Sequence, residues 1–432
     1  MSATEALLAF ASAPPPLSAP LQALMAGLLR DTLAVGVAGA SHPHAARVLA
    51  AARRWGTGAD VPVLGAPGVR LPAPSAAFVN GFRIHCLEWD AVHEEAVVHA
   101  LSAVTAAVHA LAHREAIRDP GRLLAAAALG VEAACLLGVA ATSPLRFFRP
   151  ATAGAVGAAL AAARLLDLDA QGTAHALALG VAQAAGTMQA HLEGSIALPL
   201  QVGFAARAGV VAADLAAAGV SGPADPLEGP FGYFPLFDEG ALAPHVGRLG
   251  QLVGDISLKP WPCGRASHGV LDAIAQGRAA RPGAAIEAIE AHVPPLVLRL
   301  VGRPWEVDMA PARARLCLPF LVALMLRDGR IDPRAFTTEA FADPELMALG
   351  GRLRLRGDGN PDPNALAPQR VAIAFEDGIG KEVALPAVLG HPRAPLSPAQ
   401  QAAKIGFALE LGGAPRGFEP LDLLLAPGGG EA

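Results

Sequence analysis

Charge is scarce in this sequence: among 432 residues, 33 Lys plus Arg and 38 Asp plus Glu make 16% of the chain, against 53% hydrophobic residues. With a net charge of −5 there is no basic face for nucleic acid and no polybasic segment for an anionic membrane. Neither partner is expected. Lysine is nearly missing, with Lys259, Lys381 and Lys404 alone, a scarcity that GC-rich codon usage explains, though it makes each retained lysine worth a look. Aromatics are 5% of the chain and roughly a fifth of it is alanine, which favours closely packed helices over sheets. The four cysteines, Cys86, Cys135, Cys263 and Cys317, lie far apart with no C-x-x-C pair, so free thiols of an intracellular protein are expected. The start, Met1 to Glu5, lacks the basic and apolar regions of a signal peptide, which points to the cytoplasm.

Leu123 to Thr142 carries Glu132 as its sole charge and is long enough to span a bilayer, yet it is mostly Ala and Gly and lacks aromatic belts and flanking Lys/Arg clusters. A buried helix is the better reading. Apolar residues at three-to-four spacing predict helices over Leu21 to Val37, Ala46 to Trp55, Pro74 to Asp90, Ala100 to His113, Gly121 to Val139, Ala151 to Leu166, Gly172 to Ala190 and Leu200 to Ala218. After about Ser257 the texture changes. Leu353 to Arg356 alternates with period two, Ile286 to Val293 does so loosely, and Val371 to Phe375, Glu376-Asp377-Gly378 and Glu382 to Leu385 read as a hairpin. Helices are expected between them at Gly269 to Ala280 and Arg313 to Arg327, and a last one from Ser397 to Leu411. The fold class is mainly α: a large all-helical domain over 1–256, completed by 391–432, plus a smaller α+β lid domain over 257–390. The tail 427–432 reads as loose.

Phosphate-binding loops, dinucleotide fingerprints, H-E-x-x-H and G-x-S-x-G are all missing, so nucleotide cofactors and familiar hydrolase sites have no support. Polar chemistry gathers instead between His85 and His99, where His85, Glu88, Asp90, His93, Glu94, Glu95 and His99 interrupt an apolar background. Carboxylates beside imidazoles suit acid–base catalysis. Metal ligation by His85, Glu88, His93 and His99 matches no standard spacing, and a solvated connection between helices is the bland alternative. A second cluster, Lys259-Pro260-Trp261-Pro262-Cys263-Gly264-Arg265-Ala266-Ser267-His268, precedes a predicted helix and reads as an anion site or a rigid crossover.

These segments together resemble the MmgE/PrpD family of 2-methylcitrate dehydratases, cis-aconitate decarboxylases and iminodisuccinate epimerases. The resemblance is carried by Asn80-Gly81 through Glu88-Trp89-Asp90 with His99, by Phe148 to Gly154, Leu227 to Phe234 and Lys259 to His268, and by Gly390-His391-Pro392 with Pro395-Leu396-Ser397. It implies a homodimeric lyase without metal or organic cofactor, acting on a small di- or tricarboxylic acid by proton transfer beside a carboxylate. A dehydratase or decarboxylase comes first; an epimerase or isomerase, or a non-catalytic carboxylate-binding relative, stands as the alternative. On this reading His99, Lys259, Asp90 and Glu88 are catalytic, and Arg149, Arg265, His268, Leu198 and Phe320 surround the substrate. The chain also departs from the family pattern. Ala91 and Val92 follow Asp90 in place of Asp and Thr, Arg149 replaces a histidine, Leu198 a lysine, Gln201 a histidine and Phe320 a tyrosine. Each change removes a proton carrier or a carboxylate ligand, so a substrate with fewer carboxylates or an apolar portion is expected, with Arg149 shifted from chemistry to binding.

Overall fold

The computed structural model describes residues 2–362 and 364–425; the tail 427–432 lies outside the described residues. Among these residues the chain is 55% helical and 11% strand, a mainly α protein with a smaller α+β part. Its first half holds α1 (Ala3–Ser12), α2 (Ala19–Ala38), α3 (Ala45–Ala52), α4 (Ala73–His85), α5 (Ala100–Arg114), α6 (Pro120–Val139), α7 (Arg149–Leu165), α8 (Ala170–Val181), α9 (Gln189–Glu193) and α10 (Ala197–Ala217). Ser2, Ser18, Asp119 and Asp169 cap α1, α2, α6 and α8 by accepting a backbone N–H, so these starts are written locally. Small residues then set the spacing between helices. A Cβ on Gly130 of α6 would meet the Gly157 carbonyl of α7 at 2.6 Å, so the two helices touch backbone to backbone. Every residue of α7 except Arg164 is buried, at the centre of α5, α6, α8 and α10.

Three helical stretches, Ala19–Ser41, Pro120–Val139 and Ala197–Ala217, are long and apolar enough to cross a membrane by length and composition. Their most apolar windows are 67%, 83% and 56% buried against the rest of the protein. A hairpin of β1 (Val61–Val63) and β2 (Ala66–Leu71), absent from the helical pattern, turns at Leu64 and Gly65; the Asn80 side chain fixes it by accepting the Leu64 N–H at 2.9 Å.

The acidic segment after α4 contains β3 (Val92–His93), which pairs antiparallel with β4 (Ile256–Ser257) and so fastens the first polar cluster to the start of the second. Beyond it, β5 (Ile286–Val293), β6 (Leu353–Gly357), β7 (Gln369–Phe375) and β8 (Gly380–Leu385) form one sheet ordered β6-β5-β7-β8, with β5 and β6 parallel and the other pairs antiparallel. Alternate residues of β7, Gln369, Val371, Ile373 and Phe375, face inward. The associated helices are α11 (His268–Ala280), α12 (Pro295–Val301), α13 (Pro311–Ala314), α14 (Leu318–Asp328), α15 (Thr338–Phe341) and α16 (Pro344–Gly350). The last helix, α17 (Pro398–Leu411), opens on a Ser397–Gln400 capping box and returns to α2, placing Ala408 and Leu409 in a cluster with Phe82 and Trp89.

Three predicted helices differ in detail. The helix expected to reach Asp90 ends at His85, because Glu88 adopts a left-handed φ of 55°. The stretch from Gly172 to Ala190 divides into α8 and α9, and that from Arg313 to Arg327 into α13 and α14.

Candidate active site

His85 is the last residue of α4, Glu88 and Asp90 lie on the loop that follows, and His99 immediately precedes α5. The left-handed turn at Glu88 folds this loop back on itself, so a fully buried Asp90 becomes its hub. Asp90 Oδ2 lies 2.8 Å from His85 Nδ1 and 3.1 Å from His99 Nδ1, and it accepts the Ser102 hydroxyl from the first turn of α5. On the other side of His85, Nε2 stands 3.5 Å from Glu88 Oε1. The two imidazoles meet edge to face with centroids 4.9 Å apart. Lys259 enters from below: its Nζ donates to the Glu88 carbonyl at 3.0 Å and to Glu88 Oε2 at 3.3 Å, and lies 3.9 Å from Asp90 Oδ1.

This arrangement drives the two histidines apart in proton affinity. Burial disfavours the imidazolium in both, but Asp90 and Glu88 flank His85 and raise it above its ordinary value. For His99 burial is the largest influence, and with Lys259 and His85 beside it the attraction of Asp90 does not prevent a value below the ordinary one. Burial would raise Asp90 as well, yet the two imidazoles hold it well below the carboxylate range. His85 is therefore the ring that holds a proton more readily, and His99 the one that gives it up. A proton on Nδ1, 3.1 Å from Asp90 Oδ2, would leave the His99 lone pair on Nε2.

His99 lines a cavity of about 80 Å³, partly open to solvent, between the helical core and the segment after β4. His85, Glu88, Glu94, Arg149, His191 and Arg265 supply its polar wall, and Leu145, Met188, Leu198, Leu296, Leu300 and Leu366 lie among the apolar residues. The structure thus brings His99, Glu88, Arg149, Arg265 and Leu198 to one cavity, with Asp90 directly behind. Three expected site residues sit elsewhere. Lys259 is fully buried and its ammonium is taken up by Glu88, so it steadies the carboxylates instead of facing the cavity. His268 turns back onto its own loop, with Nε2 3.2 Å from the Cys263 carbonyl, and burial next to Arg265 and Lys259 holds it well below the imidazole range. Phe320 packs among Trp305, Phe336 and Phe341 in the second core. Arg265 is engaged by Glu94, whose Oε1 receives Nε at 2.9 Å and Nη2 at 2.6 Å.

His191 was not singled out from the sequence. Arg303 donates to its Nδ1 at 2.8 Å, and burial together with that guanidinium lowers it to about 4, so it is neutral with its proton on Nε2. It offers the cavity a donor. The nearest sequence signal is its place just past a predicted helix end, which is no signal of chemistry. Donor atoms of His85, Asp90 and His99 lie within 4.8 Å of one another, close enough for a metal. They converge, however, on a single Asp90 oxygen at hydrogen-bond distances. All four cysteines are buried and unpaired by disulfides, and burial pushes the Cys263 thiol far above the range of a working thiolate.

Residues 14–244 match the MmgE/PrpD N-terminal domain and residues 261–410 the MmgE/PrpD C-terminal domain. The chain belongs to the MmgE/PrpD family. Its relatives include the cis-aconitate decarboxylase of Homo sapiens, 31% identical over 357 residues that make up 78% of this chain and 72% of that protein. The cis-aconitate decarboxylase of Mus musculus is 28% identical over 86% of this chain and 78% of its own length, and that of Aspergillus terreus (strain NIH 2624 / FGSC A1156) is 25% identical over 81% and 77%. Within this MmgE/PrpD chain the two matched regions meet between Pro244 and Trp261, the stretch in which β4 crosses to pair with β3.

Proposed function

We propose that this MmgE/PrpD protein is a lyase of the decarboxylase or dehydratase type that acts on a small carboxylic acid, with His99 transferring the proton at the carbon beside a carboxylate. The observation that carries this is His99 on the pocket wall with its Nδ1 3.1 Å from a buried Asp90; burial favours the neutral ring, and a proton on Nδ1 would leave the Nε2 lone pair for the substrate. In dehydration, Nε2 takes the carbon-bound proton, the freed pair becomes the carbon–carbon double bond as the carbon–oxygen bond breaks, and the departing hydroxide takes that proton back from the His99 imidazolium to leave as water. In decarboxylation, the carbon–carbon pair stays on the substrate as carbon dioxide leaves, and the imidazolium form of His99 returns a proton to that carbon. Negative charge grows on the substrate in either direction, and the His85 cation, 4.9 Å from His99 between ring centroids, stands next to it. Glu88 and Lys259 hold that cation and Asp90 in register.

Relatives named cis-aconitate decarboxylase support the lyase class. The test is incubation with a panel of small carboxylic acids, cis-aconitate included, in heavy water, with product and deuterium incorporation read by proton NMR. Loss of carbon dioxide or water that disappears in His99→Ala is the expected result. Deuterium exchange without a leaving group would replace the lyase with an isomerase, and binding without either reaction would leave a carboxylate-binding protein.

A further inference from the structure

The charged groups facing the cavity nearly all cancel within the protein. Arg265 gives Nε and Nη2 to Glu94, and its Nη1 and Nη2 also donate to the carbonyls of Leu389 and Val388 at 2.7 and 3.1 Å. Glu88 is held by Lys259 and His85. Arg149 differs. Fully buried at the start of α7, it donates Nε to Asp238 Oδ1 and Nη2 to the Ser143 carbonyl, each at 2.9 Å, while Nη1 has no hydrogen-bond partner among the described residues. Asp238 is itself held by the Tyr233 hydroxyl at 3.0 Å, so the guanidinium cannot swing away. A rigid, buried guanidinium nitrogen without a partner, on a residue that lines the pocket, suits one anionic oxygen. The neutral His191 Nε2–H adds a donor but no charge. Leu145, Met188, Leu198, Leu296, Leu300 and Leu366 add no cation, and the other basic groups on the wall, His85 and Arg265, are already engaged by Asp90, Glu88 and Glu94.

We infer that the pocket selects a small acid with no more than two carboxylates and an alkyl substituent, one carboxylate seated on Arg149 and the alkyl group against Leu198 and its apolar neighbours. The inference rests on this pocket being the reaction site. It narrows the substrate to a class that a tricarboxylate does not fit: each buried methylene tightens binding about 4-fold, whereas each unpaired carboxylate weakens it.

The experiment is calorimetric titration of the full chain with maleate and succinate carrying methyl, ethyl or propyl groups, against cis-aconitate and citrate. The expected result is affinity that climbs about 4-fold per methylene across the series, with both tricarboxylates at least about 10-fold weaker. Leu198→Lys, which places a cation in the apolar wall, should invert that order. Arg149→Gln should weaken every acid, with thermal unfolding run beside it because Asp238 loses its partner; Arg149→Lys keeps the charge and guards against an unfolded variant. Tighter binding of cis-aconitate or citrate than of every alkyl acid, affinity independent of chain length, no binding of any alkyl acid at millimolar concentration, or an order unmoved by Leu198→Lys would each overturn the inference. Turnover is read separately: bound alkyl acids that neither react nor exchange deuterium would refute the lyase and leave the selectivity standing.

Discussion

Asp90→Asn is the sharpest probe of the site, because it changes one atom of a fully buried side chain that does not line the cavity. In the native protein Oδ2 takes His85 Nδ1 at 2.8 Å, His99 Nδ1 at 3.1 Å and the Ser102 hydroxyl, while Oδ1 faces Lys259 at 3.9 Å. An amide has a single accepting oxygen and brings two N–H donors into a space built for acceptors. One imidazole must then accept at Nδ1, which puts its proton on Nε2. If that ring is His99, the lone pair that serves as base is gone. Loss of a positioned base costs about 10²- to 10⁴-fold in rate, or about 3–5 kcal/mol of barrier. Stability falls less than the full cost of about 3–5 kcal/mol for breaking a buried charge pair, since His85 can shed the proton that Asp90 and Glu88 favour. The assay combines turnover and deuterium exchange by NMR, ligand affinity by calorimetry and thermal unfolding. A kcat reduced about 10³-fold with affinity changed less than about 3-fold is expected. A folded Asp90→Asn protein that keeps more than about a tenth of the native rate would refute the role of the Asp90–His99 pair.

For dehydration, activity should require unprotonated His99, which burial, Lys259 and His85 hold below the ordinary 6.5, so kcat/KM should stay level near neutrality and fall only at pH below that value; for decarboxylation, which draws on the imidazolium, activity should instead rise as pH falls towards it, and a native profile with neither form contradicts the assignment. Lys259→Met deletes one cation that opposes protonation of His99, and the limb should move to higher pH. Lys404→Met leaves Asp31, 2.8 Å from the ammonium in the native fold, buried without a cation; a loss of about 3–5 kcal/mol in chemical unfolding is expected, with most of it recovered in the double variant Asp31→Asn, Lys404→Met. Lys404 also donates to the Trp89 carbonyl at 3.2 Å, between Glu88 and Asp90, so the single variant should lose kcat as well. Phe320→Tyr places a hydroxyl among Trp305, Phe336 and Phe341, which should cost about 1–3 kcal/mol of stability and leave KM unchanged.

The helices were legible because apolar residues at helical spacing and side-chain caps such as Ser18 and Asp119 are local signals that the tertiary fold reinforces. The segment from His85 to His99 was legible for a different reason: in a chain this poor in charge, a dense polar run stands against its background. What could not be read was direction. Nothing near Lys259 in the chain shows that its ammonium meets Glu88, 171 positions away, and nothing near His191 shows Arg303, 112 positions away. Phe320 matched a family position yet faces the second core, since a family motif fixes a place on the backbone and not the surface to which an altered side chain turns. Several of the protein's buried ions sit in compensated sets, as Lys259 with Glu88, Lys404 with Asp31, Arg265 with Glu94 and Arg149 with Asp238 do. Beside those sets, Arg149 Nη1 is a leftover donor on a residue that lines the pocket. Its partner Asp238 lies 89 residues downstream, so only the folded chain separates the nitrogens already satisfied from the one that awaits a ligand.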